Sequence, residues 1–237
     1  MNNRAIETSL IYHIYNRGTD KRKIFLDNKD YLRFIHDLFE FNDENNVLNV
    51  GHFFNKNQYI DVGRQYIEKQ REPRKLLVQI LAFCLMPNHY HLLLQPIKDA
   101  GASNFIKKIN GGYAKYFNNK YERTGNLFQG KYKFTVVNND AHLLHLPYYI
   151  HLNSLDLIAP EWRNKEIKNY GKAIKFLENY RWSSFMDYIG KKNFPSVTQR
   201  DFLLEFFEGP QNYKKETLKW LKEMDLEEIK EAAIEIE

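Results

Sequence analysis

Apolar residues in the first third of the chain follow two periodicities, one typical of strands and one of helices. Residues 10–15 are rich in β-forming side chains, which predicts a strand followed by a turn or loop at Asn16-Arg17-Gly18. From Asn28 to Phe41 apolar residues recur at helical spacing, which predicts a first helix. Residues 42–75 are polar and broken by glycine and asparagine. We interpret them as an insertion with a short helix near Gly63 to Lys69.

Two apolar runs, residues 76–85 and 89–95, flank the turn dipeptide Pro87-Asn88 and predict a β-hairpin. Because successive strand side chains point to opposite faces, His89 and His91 are expected on one face and Tyr90 on the other. Two imidazoles side by side on a strand can form half of a divalent-metal site. The alternative is a chance pair among the eight histidines of the chain.

The middle of the chain predicts a helix, a loop and a strand. Ser103 is a candidate N-cap for a helix from Asn104 to about Tyr121, weakened in its middle by Gly111-Gly112. Residues 123–130 contain two glycines and predict a loop. Lys131 to Val137 then alternates and is rich in β-formers, so it predicts a strand.

Helical spacing prevails in the rest of the chain. Asp140 is a good N-cap for a helix that runs to about Asn153, which Pro147 should kink or divide. Tyr149 and Asn153 lie four residues apart and so share one helix face, with His142 and His145 near the same stripe. A core tyrosine followed by a capping asparagine would give the same spacing.

The order strand, helix, strand, strand, helix, strand, helix predicts an α+β fold. Its mainly antiparallel sheet is expected to be covered by helices on one face. We expect this core to span residues 1–155, and residues 156–237 to form a helical C-terminal extension.

Composition narrows the class of protein. The 237 residues are 43% hydrophobic, which is enough for a sizeable core, and no run of about 18 apolar residues suggests a membrane span. The single cysteine, Cys84, excludes an internal disulfide framework and is expected to be core filler rather than a nucleophile. We therefore expect a soluble protein of the cytoplasm that does not bind membranes.

The net charge of +5 understates how strongly the charges are segregated, because the segment from residue 105 to residue 135 carries one acidic residue, Glu122, while the tail after Glu223 is acidic. The basic residues of this segment are Lys107, Lys108, Lys115, Lys120, Arg123, Lys131 and Lys133. Aromatic residues are interleaved with them, a mixture typical of surfaces that bind single-stranded nucleic acid. An amphipathic helix with aromatics in the core and lysines in solvent is the alternative.

Three ordered motifs together resemble a known family. Residues 86–94 (MPNHYHLLL), 125–133 (GNLFQGKYK) and 149–153 (YIHLN) resemble the REP-associated tyrosine transposases, a group of the single-tyrosine HUH transposases of the insertion-sequence-200 type. Asn16-Arg17-Gly18 and residues 180–185 match the same family, so the resemblance spans most of the chain.

This resemblance implies a fold, a site and a reaction. The fold would be a ferredoxin-like HUH core, with Mg²⁺ or Mn²⁺ held by His89, His91 and Asn153. Tyr149 would attack a phosphodiester of single-stranded DNA, form a 5′-phosphotyrosine link and release a 3′-OH. The expected substrate is a single strand with hairpin-forming repeats, and the protein would work as a monomer or a homodimer. From charge and motif position we expect DNA contacts from Arg17, Lys107, Lys108, Lys115, Arg123, Lys131 and Lys133.

Departures from the family pattern define the alternatives. Tyr90 is bulkier than the usual valine, and Tyr148 replaces the usual arginine and becomes a rival nucleophile. Tyr148 lies about 100° round the helix from the Tyr149 direction, out of register with Asn153, so we prefer Tyr149. A nucleic-acid-binding protein that has lost the chemistry is a second hypothesis. A metal phosphodiesterase that uses water as its nucleophile is a third.

Overall fold

The computed structural model describes residues 10–45, 73–137 and 140–223. Its strands are β1 (Ile11–Arg17), β2 (Val78–Met86), β3 (His89–Pro96) and β4 (Lys133–Val137). Its α-helices are α1 (Asn28–Glu40), α2 (Gly101–Lys120), α3 (Asp140–Leu152), α4 (Tyr170–Leu177), α5 (Phe185–Tyr188), α6 (Asp201–Phe206) and α7 (Pro210–Glu223). Short 3-10 helices span Thr19–Lys21, Asn153–Leu157 and Pro160–Asn164.

The four strands form one antiparallel sheet in the order β2-β3-β1-β4. The described strands and α-helices from β1 to β4 follow the order βαββαβ, and this order with this strand arrangement is ferredoxin-like. The predicted α+β fold is therefore confirmed, and so is the hairpin that carries the two histidines.

Helices cover both faces of the sheet. On one face the Phe34 ring of α1 lies 5.0 Å from the Tyr90 ring, and the Tyr90 hydroxyl donates to Oδ1 of Asn110 on α2 at 2.8 Å. On the other face Tyr149 of α3 lies 6.1 Å from the His91 ring. The two helices of the βαββαβ unit, α1 and α2, cover one face of the sheet as expected. Helix α3, which follows β4, covers the other face. The bulk of Tyr90 is thus accommodated away from the histidines.

Local sequence explains where α1 and α2 begin. Asp27 and Asp30 form a reciprocal capping box at the start of α1. Helix α2 begins at Gly101 rather than Asn104, so the capping role predicted for Ser103 is wrong. Ser103 lies within the first turn, and its Oγ is 3.0 Å from the Tyr132 hydroxyl.

Two further predictions, one about a helix and one about a turn, have different outcomes. Helix α3 continues through Pro147 and is not divided, although a proline has no N–H to donate to the carbonyl four residues earlier. Residues 16 and 17, expected in a turn, belong to β1. The short helix predicted near Gly63 to Lys69 lies outside the described residues, as does any capping by the Asp140 side chain.

Residues 156–223 pack directly on the sheet and on α3. The backbone N–H of Leu85 on β2 donates to the Trp182 carbonyl at 2.9 Å, and the N–H of Ser184 donates to the Phe83 carbonyl at 3.0 Å. These bonds cover the β2 edge, which would otherwise expose unpaired backbone groups. The boundary expected near residue 155 stays a prediction, but the described part of the extension is continuous with the core.

Cys84 lies in this covered edge strand. It is buried, and burial raises the pKa of its thiol, as expected for core filler rather than a nucleophile. None of the helices in the described ranges is long and apolar enough to cross a membrane. The cytoplasmic location stays a prediction.

Candidate active site

The face of the sheet that meets α3 carries the predicted site. Side chains directly opposite each other on neighbouring strands point to the same face. On this face His91 is opposite Tyr15, His89 is opposite Arg17, and Lys133 is opposite Tyr15 from the other side. Strand alternation thus brings together polar side chains from three strands.

His91 is anchored by another histidine. The Nδ1 atom of His91 and the Nε2 atom of His13 share a hydrogen bond of 2.8 Å, and the two rings stack with centroids 5.1 Å apart. Its other ring nitrogen, Nε2, is buried and has no hydrogen-bond partner among the described residues. Because buried polar atoms are nearly always satisfied, this nitrogen is available for a ligand.

His89 is held in a similar way. Its Nδ1 lies 2.6 Å from Oδ1 of Asn88 in the hairpin turn. A metal-binding histidine typically uses its second ring nitrogen in such a hydrogen bond, which fixes the direction of the first. In both histidines Nδ1 is engaged, so both present Nε2 as the candidate ligand atom.

Burial keeps both imidazoles neutral. Burial, together with the positive charges of Arg163 and Arg17, lowers the pKa of His89 to about 3. Burial also lowers the pKa of His91 well below its usual range, assisted by His89 and His13. A neutral imidazole is the form that binds a metal ion, so the pair is ready to bind at neutral pH.

Tyr149 projects from α3 toward this pair. Its ring lies 6.1 Å from both the His13 and the His91 rings, edge-on to each. One turn later, Nδ2 of Asn153 donates to the Tyr149 carbonyl at 2.7 Å. This bond fixes the amide orientation and leaves Oδ1 of Asn153 as the atom that can accept a hydrogen bond or bind a cation. The residues are both buried, at 3% and 1% exposure.

Arg163 also belongs to the site. It lies on the 3-10 helix Pro160–Asn164, and its Nη2 donates to Oδ1 of Asn153 at 2.9 Å. Its Nη1 lies 3.5 Å from the Tyr149 hydroxyl. Neither Arg163 nor His13 was predicted from the sequence. No spacing in the sequence relates Arg163 to Tyr149, because an irregular connection separates them.

Tyr148, the rival nucleophile, points elsewhere. Its ring packs in an aromatic cluster formed by Phe207, Tyr213 and Trp220, stacking on Tyr213 with centroids 4.8 Å apart. Burial raises the pKa of its hydroxyl, which disfavours the phenolate. His145 faces the same cluster and accepts a hydrogen bond from Trp220 Nε1 at 2.7 Å. Neither side chain reaches the histidine pair.

The donor set suits a divalent cation only when the amide is included. No group of three histidine, cysteine or acidic side chains suited to a metal exists in the part of the chain that the structure describes. The predicted set of His89, His91 and Asn153 instead combines two imidazole nitrogens with one amide oxygen. Such a mixed set leaves coordination positions for phosphate and water, and it fits Mn²⁺ or Mg²⁺.

Comparison with known proteins finds one matching family model. Residues 52–153 match the family model described as "Transposase IS200 like". This part of the chain is therefore similar to the IS200-like transposases. The resemblance seen in the motifs is thereby confirmed at the level of this family, and the predicted enzyme class, a transposase that transfers DNA strands, is confirmed with it. The matched residues include His89, His91, Tyr149 and Asn153, whereas Arg163 lies beyond them.

Other comparisons add little to this match. No curated protein sequence matches the chain. A solved structure described as "Structure of the REP associates tyrosine transposase bound to a REP hairpin" is similar over 83% of this chain and 88% of that chain, at 13% identity and a TM-score of 0.46.

The basic residues expected to contact DNA lie on different sides of the sheet. Arg17 and Lys133 lie on the site face, beside His89 and Tyr15. Lys107 and Lys115 are exposed on α2, which covers the opposite face. Their role in DNA binding stays a prediction, but these two lysines are separated from Tyr149 by the sheet.

The remaining basic residues predicted for DNA contact have structural partners or lie in a loop. Lys108 donates to the backbone carbonyls of Asp43, Glu44 and Asn45. Arg123 donates to Oδ1 of Asn118 at 3.1 Å, and Lys131 is exposed in the loop before β4.

The aromatic residues of this basic segment are buried in the core or packed against it. Those that are buried are Phe105, Tyr113, Phe117 and Phe128. They cannot stack on bases, so for α2 the amphipathic alternative is correct and the idea of a stacking platform is wrong there. Tyr116, Tyr121, Tyr132 and Phe134 are half-buried and pack against the same core.

Proposed function

We propose that the protein is a metal-dependent transesterase of single-stranded DNA whose nucleophile is Tyr149. The observation that carries this proposal is the position of the Tyr149 ring, 6.1 Å from a His91 ring whose Nε2 is buried and unpartnered in the described structure. A nucleophilic side chain and a candidate ligand nitrogen are thus held together on rigid elements.

The reaction exchanges one phosphate ester for another. The phenol oxygen of Tyr149 attacks the phosphorus, and the bond from phosphorus to the 3′-oxygen breaks. The phenol loses its proton, and the departing oxygen takes up one proton and becomes a 3′-OH, while the other strand end stays attached to Tyr149 through its 5′-phosphate. Because one ester replaces another, a second 3′-OH can reverse the step and join strands without ATP.

His89, His91 and Asn153 would hold Mg²⁺ or Mn²⁺. The bound ion would act as a Lewis acid that polarises the phosphate oxygen and fixes the line of attack. Arg17 and Lys133 border this face and would position the phosphate backbone on either side of it. The histidine pair, neutral at physiological pH, requires no deprotonation before it binds the ion.

The motifs shared with the REP-associated tyrosine transposases support a substrate class. We propose that the enzyme acts on single strands that form hairpins at repeats. A hairpin leaves its flanks unpaired, and an unpaired flank presents a single-stranded phosphodiester to the site.

Covalent capture tests the proposal. The protein is incubated with Mn²⁺ and labelled, hairpin-bearing single strands from the DNA that surrounds its gene, then analysed on a denaturing gel. We expect a protein–DNA band that is lost in Tyr149→Phe and in His91→Ala. Tyr148→Phe is the matched control and should keep the band, because Tyr148 packs away from the histidines.

Two outcomes would contradict the mechanism. Salt-sensitive binding of the same strands without a covalent band would indicate a nucleic-acid-binding protein that lacks the chemistry. Cleavage that persists in Tyr149→Phe would indicate a phosphodiesterase that uses water as the nucleophile.

A further inference from the structure

A positive charge already lies within the candidate metal site. The guanidinium of Arg163 donates to Oδ1 of Asn153 at 2.9 Å and lies 3.5 Å from the Tyr149 hydroxyl. The same side chain therefore contacts the candidate nucleophile and one of the three candidate ligands.

Arg163 is held in this position by a carboxylate. Asp156 accepts from Nη2 of Arg163 at 2.8 Å and from Nε at 3.1 Å, a two-point contact that fixes the guanidinium plane. Asp156 also accepts from Nε1 of Trp162 at 2.6 Å, and the guanidinium lies 4.6 Å from the centre of the Trp162 ring. The arginine is thus placed by specific contacts.

We propose that Arg163 sets the metal affinity of the site, because it is a resident cation with which a divalent ion must compete. Two effects act in the same direction. The guanidinium occupies the amide oxygen of Asn153 that the ion would use, and its charge repels the ion at short range. The inference rests on the proposed function, since it assumes that His89, His91 and Asn153 are the ligands.

The test measures Mn²⁺ binding alone, by isothermal titration calorimetry without DNA. Compared with the natural protein, Arg163→Gln should bind Mn²⁺ about tenfold more tightly, a typical size for the coupling between two sites. The matched control is Arg181→Gln, which removes an arginine that lies 5.0 Å over Trp182 in the same extension. It should leave the affinity unchanged.

A double variant separates the arginine from its partner. Arg163→Gln leaves Asp156 as an unpaired carboxylate, which could itself attract the ion. The double variant Arg163→Gln, Asp156→Asn removes both charges and leaves the net charge of the protein unchanged. Tighter binding in this double variant would assign the effect to the guanidinium. Tighter binding only in the single variant would overturn the inference and assign the effect to the freed carboxylate.

Failure of the inference and failure of the proposed function give different results. Equal affinity in the natural protein and Arg163→Gln, with binding lost in His91→Ala, would overturn the inference and leave the proposed ligands intact. Mn²⁺ binding in none of these proteins, or binding that survives His91→Ala, would overturn the proposed metal site and the inference with it. Thermal unfolding of each variant checks that the fold is retained.

Discussion

At the scale of single residues, His13 orients a candidate metal ligand, His91, although it is not a candidate ligand itself. Its Nε2 shares a 2.8 Å hydrogen bond with Nδ1 of His91, which directs the other nitrogen of His91 toward α3. Replacing it with Phe keeps a ring in the core and removes this bond. We expect His13→Phe to weaken Mn²⁺ binding about 10- to 100-fold, as is typical when the partner of a ligand histidine is lost.

Calorimetry checks this prediction. His145→Phe is the matched control, because it also removes a histidine that is hydrogen-bonded to an aromatic side chain, but one that faces Trp220 rather than the site. Unchanged affinity in His13→Phe would mean that His13 is only a packing residue.

Residue-level prediction from the sequence succeeded where a single element decides the geometry. Strand alternation is enough to place His89 and His91 on one face, and helical spacing is enough to align Tyr149 with Asn153. His13 reaches His91 as a diagonal neighbour, which depends on β1 pairing with β3. Arg163 depends on the path of an irregular connection. Neither the strand order nor the path of a connection is encoded in local periodicity.

At the scale of elements, the two adjacent glycines of α2 have opposite surroundings. A Cβ added at Gly112 would lie 2.3 Å from Cε2 of Phe41, which follows α1, whereas a Cβ at Gly111 would meet nothing within 4 Å. Gly112 therefore allows α2 to approach the end of α1. In the sequence both glycines indicated only a weakened helix.

Alanine substitutions at the two positions should change stability in opposite directions. Gly111→Ala should stabilise the protein by about 0.5–1 kcal/mol, because alanine favours the helix and introduces no clash. Gly112→Ala should destabilise it by about 1–3 kcal/mol, because the Phe41 ring must move. Urea denaturation of both variants measures the difference. Equal gains in stability would show that the ring moves at little cost.

Element types were more predictable than element ends. The apolar spacing of α1 is a local signal, so this helix was predicted almost to its last residue. The start of α2 was missed because Ala100 precedes it in a left-handed conformation, with φ of 56°, and no side chain caps it. Pro147 was expected to kink or divide α3; the helix is not divided, because packing on the sheet and on α7 outweighs the loss of one backbone donor.

At the scale of the whole molecule, His151 joins four parts of the fold. This fully buried residue of α3 bonds through Nδ1 to the Tyr213 hydroxyl on α7 at 2.7 Å. Through Nε2 it bonds at 2.8 Å to Oγ of Ser184, which in turn accepts from the Phe83 N–H on β2 at 2.9 Å. Burial lowers its pKa to about 3.

Acidification should therefore destabilise the fold through His151. An unfolded histidine takes up a proton near pH 6.5, whereas the folded one stays neutral down to about pH 3. Between these values the unfolded state binds more protons, so stability is lost as the pH falls. We expect the natural protein to lose about 2 kcal/mol more than His151→Gln between pH 7 and pH 5.

Urea unfolding at the two pH values, without metal, measures this difference. Tyr213→Phe is the control, because it removes the hydrogen bond and keeps the titrating group. Its pH dependence should match that of the natural protein. An identical loss of stability in the natural protein and His151→Gln would show that the imidazole is not held neutral by the fold.

The central position of β1 has a consequence for the order in which the enzyme becomes active. This first strand pairs with β3, which ends at Pro96, and with β4, which ends at Val137. Contacts between such distant segments form slowly, because the entropy of closing a long loop is lost before the contacts contribute any stabilising free energy. During synthesis the sheet cannot be completed until β4 has left the ribosome, and Tyr149 emerges later still. Under the proposed function, a chain that ends before residue 149 has no nucleophile, and the strand order delays assembly of the site until β4 has been made.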